Sequence, residues 1–125
     1  MKTILRILIV LAGLFFTLTG LVWLVQPARA AASLGMPLLE GAGRSTQIAD
    51  MAVFFFAVGI MILLSAVKLR SHWFLIPALM LLGAAVFRVF AWLVHGADFV
   101  ASAVAVELVV GCLLLFARSQ LLEQL

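Results

Sequence analysis

Charged residues are scarce in this chain. They make up 10% of its 125 residues, against about a quarter in a soluble domain. Hydrophobic residues make up 67% and the mean hydropathy is +1.34. Those proportions exclude a water-soluble domain, and the length excludes several domains. Cysteine is limited to Cys112, so no internal disulfide forms. Its apolar setting reads as that of a small hydrophobe in a core. No Ser–His–acid order and no nucleophile motif appears. Basic residues are few and scattered, with a net charge of +3, no patch and no interleaved aromatics, so no nucleic-acid partner is expected. No motif asks for a cofactor.

What the chain does have is long apolar runs. Residues 7–25 are uncharged and about as long as a helix needs to cross a bilayer. The apolar pattern predicts four spans, at about 4–25, 46–67, 73–94 and 99–117. A short interfacial helix is expected at about 27–34, with Pro27 at a first helical position, Gly35 as a stop and Pro37 just beyond. The fold class is therefore all-α, an integral membrane four-helix bundle forming one domain over 1–125. Ala28-Arg29-Ala30 resembles a signal-peptidase site. The apolar run before it exceeds the roughly 7–15 residues of a signal core, so an uncleaved first helix is expected. Trp23, Trp73 and Trp92 stand near span ends as interfacial anchors. Gly13, Thr17 and Gly20 form one small-residue stripe, which lets another helix approach closely.

Four spans put both termini on one side. Lys2, Arg6, Lys68, Arg70 and Arg118 then share that side, and only Arg29 and Arg44 lie in the opposite connectors. The excess of positive charge predicts that both termini are cytoplasmic. The connector 26–47 and the turn 95–98 then face outward. His72 and His95 fall on opposite faces of the membrane, so no metal site is expected.

The polar residues that remain inside or beside the spans are the informative ones. An ionisable side chain near the bilayer centre costs roughly 2.5–3.5 kcal/mol on insertion scales. Arg88 interrupts the third span and Glu107 the fourth, and neither is at a helix end. Opposite charges on consecutive spans suggest a pair, worth about 4 kcal/mol of Coulomb energy at close range and intermediate dielectric. That offsets much of the insertion cost without adding net stability. At 1.5 Å per residue, Arg88 lies about 10 Å below the outer end of its span and Glu107 about 12 Å below the start of its own. Asp50 enters the second span from the same side, with Glu40 and Arg44 just above it and Thr17 and Thr19 at similar depth. Arg88, Trp92 and His95 share a helix face, as do Ala103, Glu107 and Gly111. The expectation is a polar pocket in the bundle that opens outward, with Arg44, Asp50, Arg88, His95 and Glu107 as candidate ligand-binding residues.

Each residue also has a plainer reading. Arg88 and Glu107 are either a functional pair or a structural one that fixes helix register. Asp50 is either a site residue or an acid placed in the first turns, where the helix dipole favours it. His95 reads as a cap on a helix C-terminus, Asp98 as an N-cap of the fourth span, and Glu40 with Arg44 as a solvated pair. Gly41-Ala42-Gly43-Arg44-Ser45-Thr46 reads as a flexible turn running into a helix cap. It fits neither the Walker pattern nor G-x-G-x-x-G, although free amides there beside Arg44 suit an anion or carboxylate.

Leu34-Gly35-Met36-Pro37, the stretch from Gly41 to Asp50, Phe87-Arg88 with His95, and Ala105-Val106-Glu107 together resemble an uncharacterised bacterial four-helix membrane family. That family is known only as a domain of unknown function and is similar in architecture to DoxX-like proteins. The resemblance covers nearly the whole chain. It implies a multi-pass protein of the bacterial inner membrane and brings no activity. The DoxX-like architecture implies redox or respiratory membrane partners by analogy of fold alone.

Two functional readings follow. In the first, the protein is a non-catalytic membrane module. Its partners are the lipid bilayer, a small amphipathic or lipid-like ligand in the outer pocket, or a larger membrane complex, with homo-oligomers open. In the second it is a membrane enzyme, an isomerase or reductase subunit acting on a lipophilic substrate. Glu107 would then be the acid/base, Arg88 the stabiliser of developing negative charge, and Asp50 or His95 the proton relay. Proton-linked transport is disfavoured, because the spans are few and no inverted repeat is evident.

Overall fold

The computed structural model describes residues 1–123. It contains α1 (Thr3–Val25), α2 (Pro27–Ser33), α3 (Gly41–Lys68), α4 (Ser71–His95) and α5 (Ala101–Glu123). All but α2 are long and apolar enough to cross a membrane. A helix satisfies its own backbone polar groups, which hydrocarbon requires. Large apolar side chains such as Ile4, Leu18, Phe87 and Val109 are exposed around the outside, where acyl chains replace water. The protein is all-α and multi-pass, a four-span bundle with both described ends of the chain at one end of the bundle. The α2 helix and the α4–α5 turn lie at the other.

The bundle consists of two antiparallel pairs. α1 packs along α3, and α4 along α5. The pairs meet mainly where α3 faces α4, with a smaller contact between α1 and α5. In the first pair the small-residue stripe brings backbones together. A Cβ on Gly59 would collide with the backbone nitrogen and hydroxyl of Thr17 and with the Gly13 carbonyl. One on Gly20 would lie 2.7 Å from the Phe56 nitrogen. Thr17 turns its hydroxyl back to donate to the Gly13 carbonyl at 2.7 Å, so the seam carries no unmet donor there. In the second pair Gly111 faces the Leu82 side chain. The buried face of α5 is Val104, Glu107, Gly111, Leu114 and Ala117.

Several expectations are corrected. The Gly41-Ala42-Gly43 stretch is the first turn of α3 and not a flexible turn. The helix starts five residues earlier than position 46 because its own side chains reach back to the connector. Gln47 accepts from the Leu39 amide at 2.9 Å and donates to the Pro37 carbonyl at 3.1 Å. Arg44 Nε donates to the Leu39 carbonyl at 2.7 Å, so Arg44 fastens the connector and does not pair with Glu40. Asp50 therefore lies nine residues past Gly41 and outside the first turn, beyond the reach of the dipole argument. At the other turn, α5 begins at Ala101 with the Val104 amide bonded to the Val100 carbonyl, so Asp98 is too far out to cap it.

Trp23 is not an interfacial anchor, being 0% exposed in the core. Cys112 points outward, because the neighbouring Gly111 takes the inward position. α5 also runs past 117 to Glu123. Of the tail expected to emerge there, Gln124 and Leu125 lie outside the described residues.

Candidate functional site

The site begins with one contact. Arg88 Nε donates to Glu107 Oε1 at 2.7 Å, the length of a charge-assisted hydrogen bond. It is the one ion pair among the described residues. Helix geometry brings the two together. Arg88 is seven residues before the last residue of α4, and Glu107 is six after the first of α5. Those offsets correspond to about 10 Å and 9 Å of helix axis. The pairing expected from the sequence is present, and the two levels match about as closely as the sequence suggested.

The two partners differ in exposure. The Glu107 side chain is 9% exposed and that of Arg88 is 35%. Glu107 Oε2 is buried and receives no hydrogen bond from any described residue. Such an oxygen is costly to leave unmet. The guanidinium of Arg88 uses only Nε in this pair, which leaves its terminal nitrogens available as donors.

Both residues line a cavity of about 300 Å³ between the two helix pairs. Its wall takes Phe15, Phe16 and Thr19 from α1, Phe54 and Phe55 from α3, and Leu81 from α4. α5 adds Val106, with Ser102 and Ala103 at its start, and Ser33 and Leu34 close it at the α2 end. Phe16 stacks on Phe55 at 6.1 Å, and Phe15 and Phe54 stand edge-on to them. The arrangement is a polar point on an aromatic wall. It can hold an amphiphile whose head both donates and accepts hydrogen bonds.

The other candidate residues stand apart. His95 is the last residue of α4, followed by the left-handed Gly96, and its ring rests edge-on against Phe90 at 5.6 Å. Asp50 is exposed in a separate groove with Met36, Leu39 and Gln47. Arg44 is engaged with the connector. None of these three lines the Arg88–Glu107 cavity. Thr19 does line it, with its hydroxyl donated to the Phe15 carbonyl. The sequence reading missed the phenylalanine wall. Adjacent aromatics at Phe15-Phe16 and Phe54-Phe55 on the first two spans were the signal.

Fold and site together define an integral membrane four-helix bundle with a charged pair inside its spans. The chain belongs to the family DUF4345, a domain of unknown function, which matches residues 4–118. No curated protein and no solved structure matches the chain.

Proposed function

We propose that this protein is a ligand-binding module of the bacterial inner membrane, with both termini cytoplasmic and the Arg88–Glu107 cavity opening toward the exterior. A small amphipathic or lipid-like molecule occupies the cavity, its polar head at Arg88 and Glu107 and its apolar part against the phenylalanines. The observation that carries this reading is the charged pair on the cavity wall, with one Glu107 oxygen that no described residue satisfies. A pair kept only for register has no use for a cavity beside it. The orientation rests on the excess of Lys and Arg at the end of the bundle that holds the termini. The protein in mild detergent should retain a lipophilic molecule through purification, detected by mass spectrometry of extracts. Glu107→Ala should lose that molecule. A parent protein that retains nothing, and whose stability no lipid extract raises, contradicts the reading.

The same pair supports a second reading, in which the module is an enzyme acting on a lipophilic substrate. Glu107 then moves a proton and Arg88 holds the negative charge that develops. Turnover of an identified substrate lost in Glu107→Gln with the fold intact supports it. Unchanged turnover removes Glu107 from the chemistry.

A further inference from the structure

We infer that the ligand of this cavity has an uncharged, hydroxyl-bearing head and a single apolar chain, and that the chain leaves the bundle between α3 and α4. The inference rests on the ligand-binding reading above. It comes from a second cavity and from the charge balance at the shared wall.

A groove of about 320 Å³ runs between α3 and α4. Met51, Phe54, Ala84, Phe87 and Ala91 form its apolar sides. Phe54, Phe55, Arg88 and Glu107 line both this groove and the central cavity. The charged pair therefore stands at the junction of the two. Phe87 at the groove is 74% exposed, so the groove faces the surrounding acyl chains. An amphiphile can then place its head in the central cavity and its chain in the groove without burying the chain's far end. The central cavity is at the lower end of the roughly 300–1,000 Å³ that ligand pockets span, room for a head and not for a second chain.

The head's chemistry follows from charge. Among the described residues, Arg88 and Glu107 are the only ionisable ones lining either cavity, and they cancel. A carboxylate or phosphate head drawn to the terminal nitrogens of Arg88 would also meet the Glu107 carboxylate, with no second cation to offset it. A carboxylate paired with a guanidinium accepts and does not donate, so a head that meets Glu107 must supply a hydrogen. A hydroxyl does so, and its own or a neighbouring oxygen accepts from Arg88. Glycerides and alkyl phenols both have this chemistry.

The test is equilibrium binding to the full-length protein in detergent, read by native mass spectrometry. The probes are monooleoylglycerol, a long-chain alkyl phenol, and oleate. The hydroxyl-headed probes should bind about tenfold tighter than oleate, the weight of one hydrogen bond to a charged group. Whichever of the two binds better names the source. Glu107→Gln should reverse the order, weakening the hydroxyl-headed probes and strengthening oleate. A merely structural role for Glu107 would weaken all probes alike. Ala84→Phe, which narrows the groove and changes neither charged residue, should weaken the hydroxyl-headed probes by about tenfold. Oleate preferred by the parent protein overturns the uncharged head and leaves the ligand-binding reading standing. Unchanged binding in Ala84→Phe overturns the route of the chain. Failure of every probe to bind saturably overturns the proposal together with the reading beneath it.

Discussion

The two helix pairs of this bundle are held together by opposite means. α1 and α3 meet backbone to backbone, through Gly13, Gly20 and Gly59, with no charge at the seam. α4 and α5 meet through side chains, with Leu82 against Gly111 and Arg88 against Glu107. In lipid there is little hydrophobic force to drive helices together, so close packing and interhelical hydrogen bonds take over. The first pair uses packing and the second adds the ion pair. The second also sets an incompletely used ion pair on the wall of the cavity, which lies between the two pairs. The lesson is that a seam without charges fixes structure, whereas a seam with an incompletely used ion pair is available for a ligand.

Substitutions can sharpen that contrast. The largest effect is expected at Gly59. In Gly59→Ala the added methyl meets Thr17 backbone, which cannot move aside, and about 3 kcal/mol of stability should be lost. Unfolding in mixed micelles measures it. Next is Arg88→Leu, which strands a buried carboxylate. Removing one partner of a buried pair costs about 3–5 kcal/mol. The partial exposure of Arg88 brings that down to about 2 kcal/mol. The double variant Arg88→Leu/Glu107→Leu should recover most of the loss, because an apolar pair of similar volume replaces charges at little net cost. A double variant as unstable as the single one would mean that the ion pair itself holds α4 to α5. Gly111→Ala should cost about 1 kcal/mol, since the atom in its way is the flexible end of Leu82. Gly83→Ala has open space and should be neutral or gain up to about 1 kcal/mol from helix propensity. If Gly59→Ala and Gly83→Ala behaved alike, the account of the first seam would be broken.

A change outside both seams concerns the connector. Gln47→Ala removes two bonds to the 37–39 backbone and should cost about 1 kcal/mol. Hydrogen exchange should rise at the Leu39 amide, with the α1–α3 seam unchanged.

The spans and the charged pair were readable in the sequence because a single charge stands out against an apolar background. Arg88 and Glu107 each interrupt a run with no other ionisable residue nearby, and the rise of a helix sets their depth. The glycine stripe was readable for the same reason, since spacing alone defines a helix face. What resisted reading depended on rotation about a helix axis or on contacts between distant residues. Trp23 and Trp92 look alike as aromatic residues near span ends, yet Trp23 is core and Trp92 is 47% exposed. The start of α3 depends on Gln47 and Arg44 reaching back across the connector, which no local propensity encodes. Asp50 and His95 lie in the same half of the bundle as the pair and do not line its cavity. Depth follows from counting residues, whereas direction requires the neighbouring helix.

The central claim is that the side chains of Arg88 and Glu107 meet inside the bundle, and charge reversal tests it most directly. Arg88→Glu and Glu107→Arg would each set like charges together, and each should abolish the monodisperse folded species seen on size exclusion in detergent. The double reversal Arg88→Glu/Glu107→Arg should restore it. Single reversals that fold and elute like the parent protein would contradict the account, because side chains that do not meet have no charge to match.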